Sequence, residues 1–385
     1  MNDEEDQLTR INKVSTFMLA RFRATLCRRT SSASAIVVSA PELSRTVVSE
    51  CGSVVDDLVS AFLHPVAMSW DVQKYSTACE REGIRNGMTA VETILEGRFP
   101  CYDSETRGIT TPRTVVDKYG RILTWVLPNV LPKRIQAAIQ SCTENISQEL
   151  RKKIMPSERA TWRCDQKWFS DVAAECPQGV LDISPAWFMT GWKGLIDGLR
   201  TLPLLNKDMG KKWMEDFADA GALMSGIMRV MHPDQYRMAW EMMVRLKSVR
   251  PLAALHTWPT LFNAVTIVAN RQCPLHREPE GSYPWYDILV SIGSYKTAPM
   301  YLRSLGFQVL NGPGTIVGFS GKTVCHGVAD AAGHRICHAF YMRESIQDFL
   351  GVRPANWMTQ EVYRPWVGEK WRKNMFGMAR DPFNM

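Results

Sequence analysis

The last third of the sequence consists of short apolar segments separated by glycine-containing breaks. Short strands at regular spacing are typical of an antiparallel sandwich or barrel. The preceding part has helical patterns, so we predict an α+β fold with a helical N-terminal half followed by this antiparallel β-core. The candidate strands are 264–268, 287–292, 300–303, 307–310, 315–320, 324–328 and 335–341.

Further patterns predict the elements before this β-rich part. Residues 114–126 read as two strands around a tight turn, a helix is expected after Pro132, and another is expected after His232, with Pro233 at its first position. A short amphipathic stretch at 14–26 is followed by a Ser/Thr-rich segment at 30–49, and we expect this N-terminal part to be mobile. The predicted organisation is a mobile segment at 1–50, a helical extension at 51–110, a β-rich domain with supporting helices at 111–350, and a basic-aromatic segment at 351–385.

The amino-acid composition excludes several classes of protein but does not indicate a function. The 385 residues are 45% hydrophobic and 22% charged, which is an ordinary globular balance, and the net charge of +7 permits a polyanionic partner without requiring one. Ten cysteines occur without a C-x-x-C pair, which disfavours a zinc finger. No apolar run reaches the roughly 18 residues of a membrane span. We therefore expect a soluble intracellular protein with no membrane partner.

One histidine and one carboxylate have metal-ligand spacing. His276 and Glu278 are two residues apart, so on an extended segment both side chains lie on one face. His326 follows after an interval that holds about four short strands. A jelly roll can bring both ends of that interval to one mouth. Two histidines and a carboxylate form the facial triad of non-haem Fe(II) oxygenases, which leaves positions for a cosubstrate and O2.

Arg335 strengthens this interpretation. If residues 326–335 form a hairpin, His326 and Arg335 face each other on adjacent strands. A guanidinium at that place can form a bidentate ion pair with a carboxylate while the metal binds the other end of the same molecule. The five-carbon keto-diacid 2-oxoglutarate has both groups: its 1-carboxylate and 2-keto oxygens can bind the metal, and its far carboxylate can bind Arg335.

With these residues in place, the chain resembles the TET/JBP-like 2-oxoglutarate/Fe(II)-dependent dioxygenases, in particular those of basidiomycete fungi. The resemblance is clearest over about 250–345 and extends more weakly over 100–250. It rests on the triad, on Arg335 and on five stretches: Val115–Pro128, Asn270–Glu278, Tyr286–Gly293, Gly314–Gly321 and Gly333–Phe340.

The resemblance implies a double-stranded β-helix (jelly-roll) core with the helical N-terminal half packed on it, and it makes residues 111–350 the oxygenase domain. It also implies an enzyme that uses Fe(II), 2-oxoglutarate and O2 to hydroxylate a methyl group, in this group on 5-methylcytosine or thymine in DNA. Such enzymes flip the base out of the duplex, and a DNA substrate implies a nuclear location. Two positions depart from the family pattern. Glu278 stands where aspartate is usual, with Asp287 as a conceivable substitute ligand, and Cys337 stands where a hydroxyl residue often supports the cosubstrate carboxylate.

Substrate contacts are expected near the proposed mouth, from Arg271, Tyr283, Trp285 and Asp287. Two regions could contact phosphates: residues 121–167 carry nine Lys or Arg against four acids, and residues 351–385 have basic side chains among aromatic ones. The alternative for 351–385 is an ordinary tail whose aromatic residues pack on the core. Two alternatives remain: a hydroxylase of a protein or small molecule, and a catalytically inactive binding module, which the Glu278 departure motivates. The sequence does not predict the oligomeric state.

Overall fold

The structure is a computed structural model that describes residues 6–31, 38–82, 89–102, 108–170, 178–189 and 191–377. Its helices are α1 (Gln7–Thr30), α2 (Arg45–Leu63), α3 (Val72–Glu82), α4 (Thr89–Arg98), α5 (Lys133–Asn145), α6 (Ser147–Arg151), α7 (Asp208–Asp216), α8 (Ala218–Met231), α9 (Pro233–Val249), α10 (Ala254–Thr257), α11 (Glu344–Leu350) and α12 (Glu369–Gly377). Its strands are β1 (Pro65–Ala67), β2 (Gly108–Ile109), β3 (Arg113–Val116), β4 (Ile122–Leu127), β5 (Gly179–Ile183), β6 (Trp187–Phe188), β7 (Leu199–Arg200), β8 (Ala264–Ala269), β9 (Cys273–His276), β10 (Asp287–Tyr295), β11 (Met300–Leu302), β12 (Phe307–Val309), β13 (Thr315–Phe319), β14 (His326–Val328) and β15 (Gly333–Tyr341).

Two sheets form the β-core. The larger sheet has eight strands in the order β1-β3-β4-β13-β10-β15-β8-β5, and the smaller has five in the order β2-β12-β11-β14-β9. Side chains of both sheets share one apolar cluster, with Val317 and Phe319 from the larger sheet and Met300 and Leu302 from the smaller. The two inner faces therefore pack against each other, as in a jelly roll.

Helices cover the other face of the larger sheet. Ile336 and Phe340 point away from the smaller sheet and pack in a second, larger core with residues of α1, α2, α5, α8 and α9. Alternation along β15 explains this division, because successive side chains of a strand point to opposite faces. The α+β prediction with a jelly-roll core and a helical N-terminal half is confirmed.

Most predicted elements after residue 110 are present. The β3–β4 hairpin, α5 after Pro132 and α9 after His232 form as expected, and each of the seven candidate strands corresponds to one of β8 and β10–β15. The side chain of His232 accepts a hydrogen bond from the backbone N–H of Gln235 at 3.2 Å, which caps the start of α9. The turn residues located these elements because they break both helices and strands.

The N-terminal part differs from the expected mobile segment. Residues 7–30 form the single helix α1, whose apolar residues Ile11, Val14, Met18 and Phe22 are buried. Their spacing of three to four residues gives one continuous apolar face, which packs against α8 and α2. Within the described residues, no helix is both long and apolar enough to cross a membrane.

The C-terminal segment also packs on the core as far as the structure describes it. Tyr363 is fully buried, and its ring lies 4.7 Å from that of Phe22 in α1. The guanidinium of Arg23 lies 4.1 Å from the ring centroid of Trp366. These contacts support packing of the aromatic residues, and they leave nucleic-acid contact by this segment a prediction.

The predicted hairpin between His326 and Arg335 is wrong. His326 on β14 pairs with His276 on β9 and with Leu302 on β11, all in the smaller sheet. Arg335 on β15 lies opposite Gly293 on β10 in the larger sheet. The chain crosses from one sheet to the other between these strands, so the two residues approach from opposite layers.

Candidate metal and cosubstrate site

The three predicted ligands come together at one end of the jelly roll. His276 ends β9 and is the direct cross-strand partner of His326 on β14. Glu278 follows two residues later, and its backbone N–H donates to the carbonyl of Gly321 at 2.9 Å. One ligand atom from each of the three side chains lies within 4.8 Å of the others. Among the described residues, no other group of three or more His, Cys, Asp and Glu side chains has metal-ligand geometry.

Both imidazoles are oriented by their own backbone. The Nδ1 atoms of His276 and His326 lie 2.8 Å and 2.9 Å from the carbonyl oxygens of Pro274 and Val324, respectively. When Nδ1 donates its proton there, Nε2 is left with a lone pair, the form that binds a metal. His276 Nε2 is 3.1 Å from Glu278 Oε1. Without a metal this is a hydrogen-bond distance, and a metal cation would take the place of the proton between the two atoms.

The electrostatics of the triad favour the ligand forms. Burial, reinforced by repulsion from His276, lowers the pKa of His326 to about 3, so this imidazole is neutral at neutral pH. Burial alone would raise the pKa of Glu278, but the hydrogen bond to His276 and the charges of His276 and Arg163 hold it below its usual range. A neutral imidazole and an ionised carboxylate are the donors that Fe(II) takes, so the residues fit this metal.

Asp287 lies beside the triad and is not part of it. Its Oδ2 accepts a hydrogen bond from the backbone N–H of Gly321 at 3.1 Å. Burial, together with the negative charge of Glu278, raises the pKa of Asp287 well above its usual value. Because the three-ligand group contains Glu278, the glutamate and not Asp287 occupies the carboxylate position.

Arg277, which lies between His276 and Glu278 in the sequence, connects this segment to the helices before the β-core. Arg277 points away from His276 and Glu278 and forms a buried ion pair with Glu92 of α4. Its guanidinium also donates to the hydroxyl groups of Tyr75 and Ser304 and to the carbonyl of Thr323. This network fixes the ligand strand to the helices before the β-core.

The predicted cosubstrate residues lie deeper, between the sheets. Arg335 is 3% exposed, and its Nη1 donates to the carbonyl of Arg271 at 3.3 Å. The Nε atoms of both arginines are buried and have no hydrogen-bond partner in the described structure. Unpaired buried donors are costly, so they suit an anionic guest. Burial raises the pKa of Tyr295 to about 12, against the opposing charge of Arg335, and burial likewise raises the pKa of the Cys337 thiol.

Three of the four predicted substrate residues lie around this end. The Arg271 guanidinium lies 5.2 Å from the Trp162 ring centroid, and Tyr283 lies beside the 320–323 turn, where its carbonyl accepts from the Thr323 hydroxyl at 2.9 Å. Asp287 adjoins Glu278, as described above. Trp285 instead lies in the large core, 2% exposed, and its indole N–H donates to the carbonyl of Ala355 at 3.3 Å. Burial there leaves Trp285 no face for a substrate.

Sequence analysis missed two neighbours of the triad. The ring of Trp162 lies 4.5 Å from that of His276, and Nη2 of Arg163 donates to Glu278 Oε2 at 2.6 Å. Both come from the loop between α6 and β5, more than 100 residues earlier in the chain. The only sequence signal was the clustering of Lys, Arg and Trp in that loop, which does not specify a contact.

Comparisons with known proteins agree with this arrangement. Residues 200–344 match the Tet_JBP family, described as the oxygenase domain of the 2OGFeDO superfamily. That segment contains all three triad residues and Arg335. No curated protein matches the chain at a significant level.

Solved structures resemble the chain in broad outline. NgTET1 in complex with 5mC DNA is 14% identical, with a TM-score of 0.44, over 72% of this chain and 90% of that one. JOX2 in complex with 2OG, Fe and JA is 12% identical, with a TM-score of 0.31, over 82% of this chain and 99% of that one. OsALKBH1 is 12% identical, with a TM-score of 0.28, over 57% and 96%.

Proposed function

We propose that DNA is the substrate of this chain, whose residues 200–344 match the Tet/JBP oxygenase domain of the 2OGFeDO superfamily. The chain is a 2-oxoglutarate-dependent dioxygenase, and its superfamily uses Fe(II), 2-oxoglutarate and O2. Its proposed reaction is hydroxylation of the methyl group of a pyrimidine base in DNA, 5-methylcytosine or thymine. The convergence of His276, Glu278 and His326, with both Nε2 atoms available for a metal, is the observation that carries the proposed centre.

His276, Glu278 and His326 hold Fe(II) in this proposal. The metal, when bound, supplies the O2 chemistry that oxidises 2-oxoglutarate to succinate and CO2 and hydroxylates a substrate C–H bond. The protein supplies orientation and exclusion of water. The backbone carbonyls of Pro274 and Val324 fix the imidazole tautomers, and the Arg277–Glu92 ion pair holds the ligand strand.

Arg335 binds the far carboxylate of 2-oxoglutarate in this proposal. Its guanidinium is buried and only partly paired, so an incoming carboxylate satisfies donors that otherwise lack partners. Cys337 lies two residues further along β15 on the same inner face and is also buried. A thiol is a weak donor, so Arg335 carries the recognition and Cys337 shapes the wall of the pocket.

The DNA substrate rests on the sequence resemblance to the TET/JBP-like group and on the composition of the rim. In this proposal Arg271, Tyr283 and Asp287, all near the triad in the structure, contribute a cation, an aromatic ring and a carboxyl group to substrate binding. Such groups can stack on and hydrogen-bond a flipped base. A DNA substrate also predicts that the protein works in the nucleus.

One observation favours the alternative of a protein or small-molecule substrate. Several basic residues of the nearby loop are already paired with acids: Lys152 with Glu149, Lys153 with Asp182, and Lys167 with Asp165. Paired charges attract phosphates less strongly than free ones. The same assay must therefore distinguish the two classes of substrate.

The test is turnover by Fe(II)-loaded protein with 2-oxoglutarate, with duplex DNA containing 5-methylcytosine, with matched unmethylated DNA, or without DNA. Succinate is quantified, and the digested DNA is analysed by mass spectrometry. Succinate release stimulated by DNA, with hydroxymethylcytosine or hydroxymethyluracil in the digest, supports the proposal. Succinate without base oxidation favours the alternative substrates. Protein that retains no iron and releases no succinate would be an inactive binding module.

A further inference from the structure

The two carboxylate oxygens of Glu278 have different partners. Oε1 is 3.1 Å from His276 Nε2 and faces the triad, whereas Oε2 accepts a hydrogen bond from Arg163 Nη2 at 2.6 Å. We propose that Arg163 is a positioning residue that lets a glutamate serve as the carboxylate ligand, by holding Oε2 so that only Oε1 faces the histidines. This inference rests on the proposed metal centre.

A glutamate at this position needs such a restraint. It has one methylene more than the aspartate usual in the family, and therefore one more torsion that must be fixed. Its terminal torsion is broad, so a free carboxylate can present either oxygen or both. The ion pair with Arg163 selects one orientation before any metal binds. The backbone bond from Glu278 N to the Gly321 carbonyl, at 2.9 Å, fixes the other end of the side chain.

Arg163 is itself held in place. Its guanidinium lies 4.6 Å from the ring centroid of Trp162, and its carbonyl accepts from Arg271 Nη1 at 2.6 Å. The same Trp162 ring lies 4.5 Å from the ring of His276. The backbone of the loop is tied to the ligand segment as well, because Gln272 N donates to the Trp168 carbonyl at 2.9 Å. A guanidinium supported from these directions can orient its partner.

The alternative is an ordinary surface ion pair without consequence for the metal. Both side chains are partly exposed, Arg163 by 36% and Glu278 by 39%. Exposed pairs contribute little to stability. The two interpretations differ in what they predict for the metal, since a surface pair affects folding slightly and leaves the coordination unchanged.

A double-mutant cycle separates them. Arg163→Met keeps an unbranched apolar stem and removes the guanidinium with its donors, and Glu278→Asp withdraws the carboxylate by about 1.5 Å, out of reach of Arg163. Mn(II) dissociation constants are measured by calorimetry for the full-length wild type, both single variants and the double variant. The absorption spectrum of bound Co(II) reports the number of ligands. Arg159→Met, an exposed arginine of the same loop, is the matched control for loss of one positive charge.

We expect Arg163→Met to weaken Mn(II) binding about tenfold and to change the Co(II) spectrum, as loss of an outer-shell partner does. The same change in the Glu278→Asp background should alter the constant less than about twofold, because the partner is already out of reach. Arg163→Lys should restore part of the affinity.

Unchanged Mn(II) binding in Arg163→Met, or an equal loss in both backgrounds, would overturn the proposal. An equal loss in Arg159→Met would also overturn it, since the effect would then be one of net charge. A wild type that binds no Mn(II) would remove the metal centre and the proposed function with it. A normal wild-type constant with no effect of Arg163→Met would remove this inference alone.

Discussion

Replacement of Gly321 by alanine should damage the metal centre while leaving the fold intact. A Cβ at this position would lie 2.4 Å from Asp287 Oδ2 and 3.2 Å from both Cβ and Cγ of Glu278. Since non-bonded carbon atoms pack at about 3.5–4.0 Å, the Asp287 carboxyl must withdraw by about 1 Å and Glu278 by a few tenths of an ångström. The first shift moves the carboxyl group beside the triad, and the second moves the side chain whose carboxylate faces His276.

The expected cost divides between folding and metal binding. Overpacking of this kind costs roughly 1–3 kcal/mol of unfolding free energy. Displacement of the groups that orient a metal ligand lowers metal affinity by about 10- to 100-fold, which corresponds to about 1.4–2.8 kcal/mol. The carboxylate shift should therefore appear as weaker metal binding in a protein that is still folded.

Calorimetric titration with Mn(II) gives the dissociation constant, and urea unfolding gives the stability. Gly281→Ala, three residues after Glu278, is the matched control, because the nearest atom to its Cβ would be the Met342 carbonyl oxygen at 3.9 Å. That variant should bind Mn(II) as the wild type does. A Gly321→Ala protein with the wild-type constant would refute the described packing of Gly321 against the Asp287 carboxyl group and the Glu278 side chain.

Three further predictions follow from the described contacts. Arg335→Met should raise the KM for 2-oxoglutarate about 10- to 100-fold through loss of charge-assisted hydrogen bonds, and an unchanged KM in steady-state assays would count against the anchor. Burial lowers the pKa of His338 to about 3 from 6.5, so its contribution to stability is complete above pH 6.5 and falls by about 2 kcal/mol by pH 5. Urea unfolding of His338→Phe should show a shallower loss between pH 7 and 5, whereas the exposed His256→Ala should keep the wild-type slope. Mn(II) at 100 times its dissociation constant should stabilise the wild type by about 2.7 kcal/mol and His276→Ala by much less, as measured by unfolding with and without the ion.

Local signals in the sequence located most of the β-core. Gly and Pro punctuation separates the candidate strands after residue 250, and each strand forms within a few residues of its predicted bounds. The same reasoning found α9, because Pro233 marks its first turn and its apolar residues recur at helical spacing. These features are local, so they can be read without knowledge of the fold.

Helices α8 and α1 were not predicted, α8 because its sequence has no helical periodicity and α1 because of the residues that follow it. Twelve of the fourteen residues of α8 are buried, so its sequence has no polar face and no helical periodicity to detect. Helix α1 precedes a Ser/Thr-rich stretch that suggested mobility, whereas its apolar face packs against α8. Its burial depends on a partner nearly 200 residues away.

The candidate site was predictable in its residue types and not in its spatial relations. His276, Glu278 and His326 converge as expected. The four strands β10–β13 between Glu278 and His326 bring the chain back to the same end of the jelly roll. The path of the chain between β14 and β15 was mistaken for a hairpin. The contacts of Trp162 and Arg163 with the triad join residues more than 100 positions apart, which no local pattern can predict.

The most direct test of the proposed centre is Fe(II)-dependent conversion of 2-oxoglutarate to succinate by the wild type and by His326→Ala. The variant keeps the surrounding strands, and circular dichroism with urea unfolding verifies that it is folded. We predict succinate from the wild type that disappears when Fe(II) is chelated and that is abolished in His326→Ala. Equal succinate release from a folded His326→Ala protein would contradict the assignment of this triad as the metal centre.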